Sequence, residues 1–193
     1  VGIEGSGFKR IGGGLEPTVS GHYNYGFSVS APERPYDPSF APSEGLIASV
    51  ADLARWVQAV LSQDERIMSK PSYDDMFTPR RKTPWGEIQM GLAWQLYQAG
   101  DQFVAQHAGT VTGFSSLLIT YPEQRRAIII LGNADRVPRW EIAGVINAIL
   151  DDAEFSLPPS SQGKYRLYLI IVAAIIITGI GLVSRRLIRR FNQ

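Results

Sequence analysis

The 193-residue sequence contains no cysteine and only two histidines. Without cysteine there is no disulfide, no thiolate-bound metal and no cysteine nucleophile within these residues. His22 and His107 are isolated and far apart, a poor ligand set, so no metal or other cofactor is expected. Acidic residues are missing altogether from 164–193, which hold six of the 19 basic residues and none of the 18 acidic ones. The rest of the chain is therefore acidic, 13 basic against 18 acidic residues or a net −5, although the overall charge is +1. A domain of that sign has no electrostatic reason to bind nucleic acid.

Charge is also absent from the apolar run 167–183. As a helix this run spans roughly 26 Å at about 1.5 Å per residue, enough to cross the hydrocarbon of a bilayer. A buried core helix is the alternative, but that needs packed partners on all sides, and only a polar basic tail follows. Lys164 and Arg166 precede the run, whereas Arg185, Arg186, Arg189 and Arg190 follow it. This asymmetry predicts a single-pass anchor in the cell membrane, with a cytoplasmic C-terminus and an extracytoplasmic domain. Tyr165 and Tyr168 suit the interface, and the basic tail 184–193 suits anionic membrane lipid. The chain opens at Val1 with no signal peptide although this orientation calls for export, so an upstream part is expected to be missing.

Before the anchor the predicted organisation is one domain over residues 1–155 and a proline-rich linker over 156–166. Residues 1–46 are rich in Gly, Pro and Ser, leaving room for one short strand from His22 to Val29. Ser49 and Asp52 form a capping box, and Val50, Leu53, Ala54, Val57, Val60 and Leu61 recur at helical spacing, which predicts a helix from Val50 to Leu61. A shorter helix is expected from about Pro71 to Phe77. Four strands follow, at Leu92–Tyr97, Phe103–Gln106, Ser115–Tyr121 and Arg126–Leu131, with tight connections that make them antiparallel. The run Arg80-Arg81-Lys82 reads as a solvated loop. Trp140–Leu150 closes the domain as an amphipathic helix. The fold class is α+β, an antiparallel sheet flanked by helices, plus one transmembrane helix.

The informative segment is Gln106-His107-Ala108-Gly109-Thr110-Val111-Thr112-Gly113-Phe114-Ser115-Ser116, read as a strand end, a glycine-containing turn and the next strand. With Ser43-Glu44-Gly45-Leu46-Ile47-Ala48-Ser49-Val50-Ala51-Asp52-Leu53-Ala54-Arg55-Trp56 before it and Ile128-Ile129-Ile130-Leu131-Gly132-Asn133 after it, the pattern covers roughly Ser20 to Leu150. It resembles the C-terminal part of the serine β-lactamase-related hydrolases. That group contains class C β-lactamases, low-molecular-weight penicillin-binding proteins, D-aminopeptidases and some esterases. The resemblance implies a β-lactamase/transpeptidase-like fold and an enzyme with Ser-x-x-Lys, Tyr-x-Asn and Lys-Thr-Gly or His-x-Gly motifs. His107-Ala108-Gly109 matches the third.

By that resemblance the backbone N–H of Thr110 is one oxyanion donor, Gly109 leaves room for substrate beside the strand, and His107 bonds substrate or the proton-transfer tyrosine. The plain alternative for His107 is a strand-end histidine satisfied by solvent or a carbonyl, and His22 reads as a partly exposed strand histidine. Asn133 is expected to make a structural hydrogen bond.

The departures concern the other two motifs. Ser6-Gly7-Phe8-Lys9 and Ser161-Gln162-Gly163-Lys164 fit Ser-x-x-Lys by spacing, but neither serine opens a long helix, because Gly12-Gly13-Gly14 and Pro17 follow the first and the second lies in the linker. Both are read as coincidences. No Tyr-x-Asn occurs, and Glu44 stands where many relatives have a second glycine. The expectation is thus a fragment of a membrane-anchored serine hydrolase acting on a small-molecule or peptide amide or ester, inactive by itself. A non-catalytic binding or sensory domain is the alternative.

Overall fold

The computed structural model describes residues 2–8, 19–25, 27–32, 37–155 and 170–173. Strand β1 (Gly7–Phe8) is followed by a two-stranded ribbon, β2 (His22–Asn24) and β3 (Ser28–Ser30). One helical turn, α1 (Ala41–Glu44), strand β4 (Leu46–Ile47) and helix α2 (Val50–Leu61) come next. Then follow α3 (Lys70–Met76), β5 (Arg81–Lys82), β6 (Gln89–Met90), β7 (Gln95–Ala99), β8 (Gln102–Val111), β9 (Phe114–Tyr121), β10 (Arg126–Gly132) and α4 (Arg139–Leu150).

The main sheet has six strands in the order β10-β9-β8-β7-β6-β5, every neighbouring pair antiparallel. Side chains alternate between its two faces. On one face Leu96 and Ala105 pack with Val60 of α2 and with Tyr73 and Met76 of α3. On the other, Val104, Leu117, Ile119 and Ile128 pack with Ala143 of α4. Two helix layers therefore sandwich the sheet, as the change from helical to strand periodicity predicts. Trp94 stacks on Trp56 at 6.2 Å between centroids and anchors the first core.

Helix α2 has the predicted bounds, and Ser49 Oγ accepts from the Asp52 N–H at 3.1 Å. The Asp52 carboxylate is spent elsewhere: it accepts from Gly5 N–H at 3.0 Å, from Ser6 Oγ at 2.7 Å and from Arg55 at 2.8 Å. It thereby staples the segment before β1 to α2, beside the β1–β4 pairing. The Ser6 hydroxyl, helped by the Gly5 amide and Arg55 and opposed by burial, holds this carboxyl below the ordinary value of 3.8. A lowered folded-state pKa contributes stability above the ordinary value that is lost as pH falls through the lowered one. Asp52→Ala should therefore lower Tm by about 5 °C at neutral pH and flatten the acid limb of Tm against pH below about pH 4. An acid limb identical to the wild type would show that Asp52 is not the staple.

Several expected boundaries move. The strand predicted from His22 to Val29 is a hairpin, because Tyr25 N–H donates to the Phe27 carbonyl at 3.1 Å and brings His22 opposite Ser30. The strand predicted from Leu92 begins at Gln95, since Leu92 N–H donates to the Met76 carbonyl and Ala93 turns at φ 65°. Arg81 and Lys82, predicted as loop, form the charged edge strand β5, a composition that discourages further strand pairing. The strand predicted to stop at Gln106 runs on to Val111, held throughout by β9.

Of the predicted membrane helix 167–183, only residues 170–173 are described, and they are helical. The predicted linker 156–166 and basic tail 184–193 lie outside the described residues. No helix among the described residues is long and apolar enough to cross a membrane.

Candidate active site

The extension of β8 is what shapes the candidate site. Val111 and Phe114 flank the two-residue turn Thr112-Gly113 and exchange hydrogen bonds, so Gly109 and His107 also bond to β9, opposite Ser116 and Leu118. The alternate residues, Thr110 and Ala108, aim their N–H and C=O groups at the other side. Strand β7 would pair there, but its first pair is Gln95 with Gln106. Beyond Gln106 nothing among the described residues pairs with this side of β8. A central strand thus offers a short free edge, with the N–H groups of Ala108 and Thr110 available to an extended ligand.

The three residues singled out in the sequence lie together on this edge, each with its own geometry. The His107 side chain is exposed, on the α2–α3 face of the sheet, and makes no hydrogen bond to a described residue. Gly109 lies on the same face, where an added Cβ would come 2.7 Å from Ser116 Oγ. What its missing side chain makes room for is therefore the cross-strand serine. Thr110 is exposed and faces the α4 side, where its Oγ1 accepts from Arg139 Nη2 at 2.9 Å.

The turn at the end of this edge is wedged under the β2–β3 ribbon. Gly113, at φ +74°, accepts from His22 N–H at 3.0 Å, and an added Cβ would lie 2.8 Å from the Gly21 backbone. Asn133 makes the structural bond expected of it, donating to the Ser20 carbonyl at 3.3 Å. Its own carbonyl lies 3.3 Å from His22 Nδ1, and His22 is partly exposed in a strand, as predicted. Glu44 ends the single turn α1 and is exposed.

Ser6 donates its hydroxyl to Asp52 and lies beside a two-residue strand, not at the start of a helix. Its spacing partner Lys9, and the whole of Ser161–Lys164, lie outside the described residues. Arg139 was not among the candidates, although a lone arginine at the start of an amphipathic helix, against the helix dipole, was a readable sign. Among the described residues no three His, Asp or Glu side chains converge to hold a metal ion.

Comparison with known proteins bears on the family and the fold. The Beta-lactamase family profile matches residues 7–147, most of the chain. Penicillin-binding protein 4* of Bacillus subtilis (strain 168) is 27% identical over 158 residues, which cover 74% of this chain and 34% of that protein. The octameric penicillin-binding protein homologue from Pyrococcus abyssi superposes with a TM-score of 0.67 at 24% identity, over 79% of this chain and 35% of the other. A class C beta-lactamase superposes with a TM-score of 0.55 at 18% identity, over 70% of this chain and 44% of the other. The chain spans about a third of the length of the curated relative it matches.

Proposed function

The chain belongs to the beta-lactamase family, and from that premise we propose that the whole protein is a serine hydrolase that cleaves an amide or ester through an acyl-enzyme. The observation that carries this reading is the free edge of β8 at Ala108 and Thr110, beside the His107-Ala108-Gly109 motif. In acyl transfer a serine oxygen attacks the carbonyl carbon, the bond to the leaving amine or alcohol breaks as that group takes a proton, and water later releases the acid. The carbonyl oxygen becomes negative on the way, and an N–H donor fixed in advance lowers that barrier. The Thr110 N–H is such a donor: a strand holds it rigidly and no group among the described residues occupies it.

This reading requires a nucleophilic serine outside the 193 residues, with its own N–H as the second oxyanion donor. His107 then serves as a hydrogen-bonding helper to substrate and not as the nucleophile's base. Small-molecule or peptide amides and esters are the substrate class. We further propose that the protein is tethered to the cell membrane by residues 167–183, a location supported by their lack of charge and by the arginines that follow.

The complete gene product should be labelled covalently by a fluorescent penicillin or a fluorophosphonate, whereas residues 1–193 alone should not be. Failure of both reagents to label the complete product would leave the free edge as a binding groove, the reading of a non-catalytic domain.

A further inference from the structure

Arg139 is an expensive residue for the fold to keep. Only 8% of its surface is exposed, and its Nε is buried without an acceptor among the described residues. No carboxylate pairs with it among the described residues. It also stands in the first turn of α4, where the helix dipole opposes a positive charge. Its favourable contacts are the Trp140 ring, 4.3 Å below the guanidinium, and Thr110 Oγ1. Burial disfavours the charged form, in keeping with its downward pKa shift.

The bond to Thr110 has a directional consequence. A hydroxyl oxygen that accepts from a guanidinium must send its own proton elsewhere, and a hydroxyl has just one proton to give. Thr110 is exposed, and none of the described residues accepts that proton. We propose that Arg139 is a positioning residue that locks the Thr110 hydroxyl as a second donor toward a ligand on the free β8 edge. Thr110 then supplies two donors, the N–H in the plane of the sheet and the O–H on its α4 side. The site favours a substrate with an acceptor oxygen on that side of the scissile carbonyl. The inference rests on the acyl-transfer reading above.

The test is the rate of labelling of the complete protein by a fluorescent penicillin, read together with thermal stability. Thr110→Val removes the hydroxyl and leaves the backbone N–H, and should slow labelling about ten-fold, in the limiting rate and not in the half-saturating concentration. Arg139→Met should slow it equally while melting at or above the wild-type temperature, since an unbalanced buried charge is replaced by an apolar side chain of similar length. Arg139→Lys should recover part of the rate, because its ammonium reaches the hydroxyl without the fork. The double variant should be no slower than either single one, because both changes break one contact.

Wild-type labelling by Thr110→Val, additive losses, or an Arg139→Met protein that is merely less stable would overturn the inference and leave the hydrolase reading standing. If the wild-type protein does not label at all, the hydrolase reading fails first. Guanidinium NMR then decides the lock: slow rotation of the Arg139 side chain that is lost in Thr110→Val upholds it, and free rotation in the wild type refutes it.

Discussion

Gly113→Ala should lower the stability of the chain by about 3 kcal/mol and detach the β2–β3 ribbon from the β8–β9 turn. Two costs combine. Gly113 sits at φ +74°, where an L-residue loses about 1–2 kcal/mol. Its added Cβ would also lie 2.6 Å from Ala31 Cβ and 2.8 Å from the Gly21 backbone, and overpacking of that kind costs about 1–3 kcal/mol. Neither neighbour is the end of a flexible chain, so the ribbon must move as a unit. The His22 N–H bond to the Gly113 carbonyl goes with it. Gly86 provides the control: it has φ +68° but open space around it, so Gly86→Ala should cost only the strain, about 1 kcal/mol. Urea unfolding measures both variants, and hydrogen exchange at the His22 amide reports the ribbon. Equal losses at the two positions would mean that the close approach of Gly21 and Gly113 contributes nothing.

Proline at Thr110 should lower acylation of the complete protein by about 100-fold or more while the fold survives. Proline lacks the N–H. At Thr110 that group faces the free edge, so its loss removes a donor for the developing oxyanion and no ladder bond. One residue earlier the outcome reverses. The Gly109 N–H bonds to β9 opposite Ser116, so Gly109→Pro should cost about 3 kcal/mol and act through the fold. Labelling rate and melting temperature, measured on the pair, separate the two effects. If both prolines unfold the protein, the hydrogen-bond parity assigned to β8 is wrong; if Thr110→Pro folds and labels normally, its N–H is not an oxyanion donor.

These two variants depend on features that differ in how far they can be read from the chain. The helix Val50–Leu61 was legible because six apolar positions and its capping serine agree on one period. The β9 and β10 strands were legible for the same reason, with a proline-containing connection between them. β8 is legible only as far as Gln106, because its second half, His107 to Thr110, has little apolar alternation to show. That half is a strand because of its partner: Leu117 and Leu118 of β9 continue the core, and β8 follows them in register. The single strand read over His22–Val29 failed because a turn at Tyr25–Phe27 leaves no mark in hydrophobic period.

The site shows the same division. The family resemblance, the motif His107-Ala108-Gly109 and the succession of α2, α3, β7 to β10 and α4 are legible in the chain, because these depend on residue types and near-neighbour spacing. The tertiary fold starts β7 opposite Gln106 and so leaves no described strand on the β7 side of Ala108 and Thr110. It also decided that Gly109 accommodates Ser116, that Asp52 reaches back to Ser6, and that Arg139 meets Thr110 across 29 positions. Two of these, Asp52 with Ser6 and Arg139 with Thr110, join segments distant in the chain, and the others depend on strand register within a hairpin. The geometry of such contacts is set by register and packing, and local propensity carries no record of either.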